Sequence, residues 1–207
     1  MATAQTSSTS PDAQAAPRKR PKPGERRIQI LQTLAAMLEQ PGAERITTAA
    51  LAARLEVSEA ALYRHFASKA QMFEGLIDFI ETSIFSLLNQ ITEGPHSTQD
   101  KLRRMLTVLL QFAERNPGMV RVMVGDALVF ENDRLQQRMN LFFDKVEAGL
   151  RQVLREATAD SSTPTIDAQV KASLALSFVL GRLQRFARSG YKRSPLEHLD
   201  ASLAVIL

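Results

Sequence analysis

Between Ile46 and Lys69 the chain gathers Thr47, Thr48, Ser58, Glu59, Tyr63, Arg64, His65 and Lys69, with the small Ala60 among them. Hydroxyls, a phenol, an imidazole, a guanidinium and an ammonium are donors to anionic oxygen, and Glu59 is an acceptor. Such a set suits contacts to nucleic-acid phosphates and base edges, while helix capping and plain solvation suit the same residue types. Catalysis has no frame anywhere in the chain. Ser, His and Asp occur, but no Gly-x-Ser-x-Gly elbow, phosphate loop, dinucleotide fingerprint or paired carboxylates organise them. His65, His96 and His198 are far apart and cysteine is absent, so no metal site is expected. The expectation is a protein that is not an enzyme and needs no cofactor.

The elements that must position this cluster are two short helices with only Leu55-Glu56-Val57 between them. Thr47 or Thr48 can cap the first and Ser58 the second, while Ser68 caps a longer helix that Lys69 opens. Leu51, Leu55, Val57, Leu62 and Phe66 are spaced to point inward, and Ala52, Ala60 and Ala61 are small enough for close crossing. This spacing predicts a helix-turn-helix with Ser58 to His65 on its outer, reading helix. Lys69 would meet a phosphate beside the free N–H groups of its helix. Tyr63 fits a half-buried aromatic or a phosphate contact, and His65 a helix-end hydrogen bonder or a DNA contact.

Before that unit, Ile28, Leu31, Leu34, Ala35 and Leu38 recur at helical spacing up to Pro41-Gly42. After it, helical patterns run from Ser68 to about Thr92, Thr98 to Arg115, Val120 to Phe130, Asn132 or Asp133 to about Ala157, Ile166 to Arg188 and Pro195 to Leu207. Leu102, Met105, Leu106, Leu109, Leu110 and Phe112 read as core. No stretch alternates as a strand would, so the fold class is all-α. No apolar run reaches membrane-spanning length, and a cytoplasmic protein is expected. Of the net charge of +4, all lies in residues 1–27, where six basic groups meet two acidic ones. Residues 1–23 read as a disordered basic arm.

The run from Val57-Ser58 to Leu62-Tyr63-Arg64-His65-Phe66, followed by Lys69, resembles the signature of the TetR family of bacterial regulators. Matches farther along, among them Glu114-Arg115-Asn116-Pro117-Gly118, Phe130-Glu131 and Asp133-Arg134-Leu135-Gln136, are similar to its nucleoid-occlusion branch. The resemblance implies a helix-turn-helix domain at 24–84 and a helical dimerisation domain at 85–207. It implies a homodimer on partly palindromic double-stranded DNA at the nucleoid, with Thr47, Thr48, Ser58, Glu59, Ala60, Tyr63, Arg64, His65 and Lys69 at the duplex. It implies also that Phe79, Val108, Gln111, Arg115 and Asn116 face the tubulin-like division GTPase FtsZ. From the residues alone, Phe79 reads instead as a core aromatic and Asn116 as a helix C-cap. Glu56 stands where the family usually has glycine in the turn. The dimer is expected on the helix Ile166 to Arg188, with Leu174, Phe178, Gly181 and Leu183, and on the last helix. An ordinary ligand-responsive repressor is the alternative, with Gln111, Arg121, Asp126 and Asn140 as polar members of a pocket.

Overall fold

In the computed structural model, residues 24–40, 46–157 and 164–206 are described. The basic arm, the Pro41-Gly42 break, most of the loop before Pro164 and Leu207 lie outside them. Helix α1 (Glu25–Leu38) buries Ile30, Leu34 and Leu38 at four-residue spacing. Ile28, expected on that stripe, is 57% exposed, so the inward face starts at Ile30. Helices α2 (Thr48–Arg54) and α3 (Glu59–Tyr63) follow, then the long α4 (Lys69–Glu93), which runs unbroken through residue 84. Helix α5 (Thr98–Arg115) buries the Leu, Met and Phe stripe that reads as core in the sequence. Ser97 caps it by accepting from the Asp100 N–H at 3.2 Å.

The next element departs from expectation. Helix α6 (Pro117–Met123) starts earlier, with proline in its first turn, and stops at Gly125, whose φ of 87° is left-handed. A single 3₁₀ turn (Asp126–Leu128) follows, and Phe130 ends outside any helix and exposed. Helices α7 (Asp133–Ala157) and α8 (Pro164–Arg188) are each 25 residues long and pack extensively on each other. The last helix, α9 (Leu199–Ile206), also starts later than Pro195. His198 has a φ of 51°, which helical backbone excludes, so residues 195–198 turn before α9 begins.

Two contacts fasten the C-terminal helices to α1. Gly118, in the first turn of α6, lies so near α1 that a Cβ there would stand 2.1 Å from the Ala35 carbonyl oxygen. Tyr191, between α8 and α9, donates its hydroxyl to the Leu38 carbonyl at 3.3 Å. Burial pushes its phenol above the usual tyrosine range, so the hydroxyl stays protonated and can donate at neutral pH. Charges tie α4 to α7: Arg138 bonds Asp78 and Glu81, each at 2.5 Å, and Arg134 pairs with Glu74.

Helix α8 divides its apolar residues between two surroundings. Ala168, Ala172, Ala175, Val179, Leu183 and Phe186 are buried within the chain, Leu183 completely. That corrects its assignment to a dimer face, because substituting it would disturb the subunit's own core. Ile166, Val170 and Leu174 are instead 63%, 52% and 59% exposed, and the space above Gly181 is open.

Gly118→Ala should cost about 1–3 kcal/mol by forcing α6 away from α1. Urea unfolding of the variant reads this directly, and an unchanged midpoint would contradict the backbone contact.

Candidate nucleic-acid interface

The unit formed by α2 and α3 is built by its caps and its turn. Thr47, not Thr48, caps α2, its hydroxyl accepting from the Ala50 N–H at 3.1 Å. Ser58 caps α3 by accepting from the Ala61 N–H at 3.3 Å, and Ser68 caps α4 by accepting from Gln71 at 3.2 Å. Thr48 does other work. Its hydroxyl donates to the Glu59 carboxylate at 2.5 Å, joining the first turns of the two helices.

Between them α2 ends in a Schellman turn. The Val57 N–H donates to the Ala52 carbonyl at 3.0 Å and the Glu56 N–H to the Ala53 carbonyl at 3.1 Å. The residue between, Glu56, has a φ of 54°, so the turn keeps the left-handed backbone and carries the strain of a side chain there. Leu51, Leu55, Leu62 and Phe66 are buried and Val57 packs against them. Ala52 is buried at the crossing and Ala61 is intermediate, but Ala60 is exposed, so it takes no part in the close approach. It lies on the outer face instead.

That outer face carries Glu59, Ala60, Tyr63, Arg64 and His65, all exposed, Tyr63 to 45%. Thr47 and Ser58 sit at the helix starts and are exposed too. Lys69 is placed differently. It opens α4 beside this face, yet its ammonium pairs with the Glu131 carboxylate and lies 5.6 Å from the Phe73 ring centroid. Only 21% of its side chain and 10% of that of Glu131 are exposed, so a phosphate either shares the ammonium with Glu131 or breaks a largely buried pair. Sequence reasoning missed Glu131 as its partner, because the two are 62 residues apart. It also missed Arg27, whose guanidinium lies 4.0 Å above the Phe66 ring centroid and donates to the His65 carbonyl at 2.8 Å. The only signal for Arg27 was its charge, which reads as the end of the basic arm.

A second surface lies along α4 and α5. Phe79 is 47% exposed, not core, with its ring centroid 6.0 Å from that of Phe112. Asn116 donates its side-chain amide to the Phe112 carbonyl at 2.8 Å, which is a helix C-cap, and it also lines a cavity with Phe79, Ile28, Leu31 and Met119. Val108 and Gln111 line a separate groove with Leu87 and Gln90, and Arg115 is exposed at the end of α5. Of the polar residues considered for a ligand pocket, Gln111 faces this open groove, and Asp126 and Asn140 are exposed. Among the described residues no group of His, Cys, Asp and Glu could hold a metal ion, and no helix is long and apolar enough to cross a membrane.

Residues 30–76 match the family of bacterial regulatory proteins of the tetR type. Residues 96–206, more than half of the chain, match an SlmA-like, tetracyclin repressor-like C-terminal domain. The nucleoid occlusion factor SlmA of Idiomarina loihiensis is 50% identical over 87% of this chain and 93% of its own length. This chain belongs to the SlmA family. The SlmA of Photobacterium profundum is 52% identical, over 84% of this chain and 90% of its own. Among solved structures, the TetR-family regulator PfmR from Thermus thermophilus superimposes with a TM-score of 0.69, covering 86% of this chain and 97% of its own at 22% identity. At that identity the likeness establishes the TetR fold alone. SlmA-family membership thus rests on sequence, and the α2–α3 unit is the TetR-type helix-turn-helix.

The left-handed Glu56 gives a direct test of the turn. Glu56→Gly should stabilise the protein by up to about 1 kcal/mol, the relief of a side chain from left-handed backbone less the added freedom of the unfolded chain. Thermal unfolding measures it, and a destabilised variant would show that the Glu56 side chain outweighs the backbone strain.

Proposed function

We propose that the chain is a nucleoid occlusion factor: a homodimer that binds partly palindromic chromosomal sites and, in that state, blocks FtsZ assembly over the nucleoid. Membership of the SlmA family carries this reading, since every curated relative named above is a nucleoid occlusion factor. Geometry supports each part. The outer face of α3 offers Ser58, Glu59, Tyr63, Arg64 and His65 to a major groove, with Thr47 and Thr48 at the backbone. In this reading Lys69 leaves Glu131 for a phosphate. In this reading residues 24–84 read DNA and residues 85–207 pair the subunits, a division supported by the family matches at 30–76 and 96–206. No reaction is catalysed, and the site of action is the cytoplasmic nucleoid.

The FtsZ surface is the face of α4 and α5 formed by Phe79, Val108, Gln111, Arg115 and Asn116. Phe79 is half-exposed and Arg115 exposed, and arginine is among the residues in which protein-binding energy concentrates. The two subunits meet through Ile166, Val170 and Leu174 of α8, with Gly181 permitting close approach of the partner's backbone.

Co-sedimentation tests the function. The chain with a duplex recovered by selection from genomic fragments should reduce pelleted FtsZ polymer, and Phe79→Ala or Arg115→Ala should weaken that inhibition about tenfold with DNA affinity unchanged. Inhibition by both variants equal to wild type would remove FtsZ from this surface. Unaltered polymer with DNA-bound wild type would overturn the function.

A further inference from the structure

Helix α3 has five residues, fewer than an isolated helix needs to persist in water, so its direction depends on what grips its ends. At the start the grip is the Thr48 hydroxyl on Glu59 and the Ser58 cap. At the other end the chain passes through Arg64 and His65 into Phe66, which is buried to 1% and fixed in the core. There the only long-range side-chain hydrogen bond described comes from Arg27 in the first turn of α1, a separation of 38 residues. Its guanidinium lies 4.0 Å over the Phe66 ring and donates at 2.8 Å to the His65 carbonyl. The plane of the ring and the direction of the carbonyl fix the guanidinium at two points, which a lysine ammonium does not reproduce. The cation also meets the negative end of the α3 dipole.

We propose that Arg27 is a positioning residue for sequence reading: it sets the angle of α3 in the groove by holding His65 and Phe66, and does not itself bind a phosphate. This rests on the DNA-reading role proposed for α3. A positioning residue and a phosphate contact leave different traces. Loss of a phosphate contact weakens all sequences alike and lowers the salt slope by about one, whereas a tilted reading helix loses discrimination at unchanged slope.

The test uses the full chain and two duplexes, one carrying the sequence selected from a random pool and one with that sequence scrambled. Arg27→Ala should weaken binding to the selected duplex about tenfold or more and to the scrambled one less than about twofold, with the salt slope kept within half a unit. Arg27→Lys, which keeps the charge and so guards against a general electrostatic loss, should show most of the same defect. Circular dichroism of Arg27→Lys should match wild type. Equal losses on both duplexes, a slope lower by about one, or full rescue by lysine would overturn the proposal. Wild type that fails to distinguish the duplexes would overturn the DNA-reading role of α3 itself, and this inference with it.

Discussion

A Cβ at position 118 would stand 2.1 Å from the carbonyl oxygen of Ala35, so α6 can rest on α1 only because the residue there is glycine. Helix α1 is thereby shared. One side carries the core of the helix-turn-helix through Ile30, Leu34 and Leu38, and another bears against α6. Its first turn reaches the end of the reading helix through Arg27, and its last turn is held by the Tyr191 hydroxyl. The helix-turn-helix and helices α4 and α6 are therefore packed on one rod. Beside Ala35, α1 meets close-packed backbone, which deforms little.

Charge pairs repeat that arrangement on α4. Lys69, Glu74, Asp78 and Glu81 meet Glu131, Arg134 and Arg138 along its length. The exposed pairs, such as Arg134 with Glu74, contribute little to stability, but Lys69 with Glu131 is largely withdrawn from water and costly to separate. A phosphate that draws Lys69 from Glu131 must compensate for a buried carboxylate left alone.

The all-α class, most helix bounds and the turn were legible because they depend on short-range patterns. Two serines and a threonine mark helix starts, Leu102 to Phe112 repeat at helical spacing, and only Leu55-Glu56-Val57 separates the two short helices. What was not legible involves distant partners or a choice between two apolar neighbours. Arg27 looked like arm charge and Lys69 like a free cation, because their partners are 38 and 62 residues away. Leu174 and Leu183 look alike in sequence, yet one is 59% exposed and the other fully buried, since the angle round α8 decides which neighbour each meets. The end of α6 was misread because the left-handed Gly125 outweighed an apolar run that continues to Phe130.

The central claim is that two copies pair through the exposed face of α8 and so set two reading helices about 34–36 Å apart, one turn of DNA. Analytical ultracentrifugation of wild type and Leu174→Glu, each with and without a duplex bearing two half-sites, tests it most directly. Leu174 is exposed, so the variant should keep its fold. The account predicts a wild-type dimer that binds one duplex, and a folded Leu174→Glu monomer that binds it weakly. Wild type that stays monomeric at micromolar concentration, both alone and on the duplex, would contradict it.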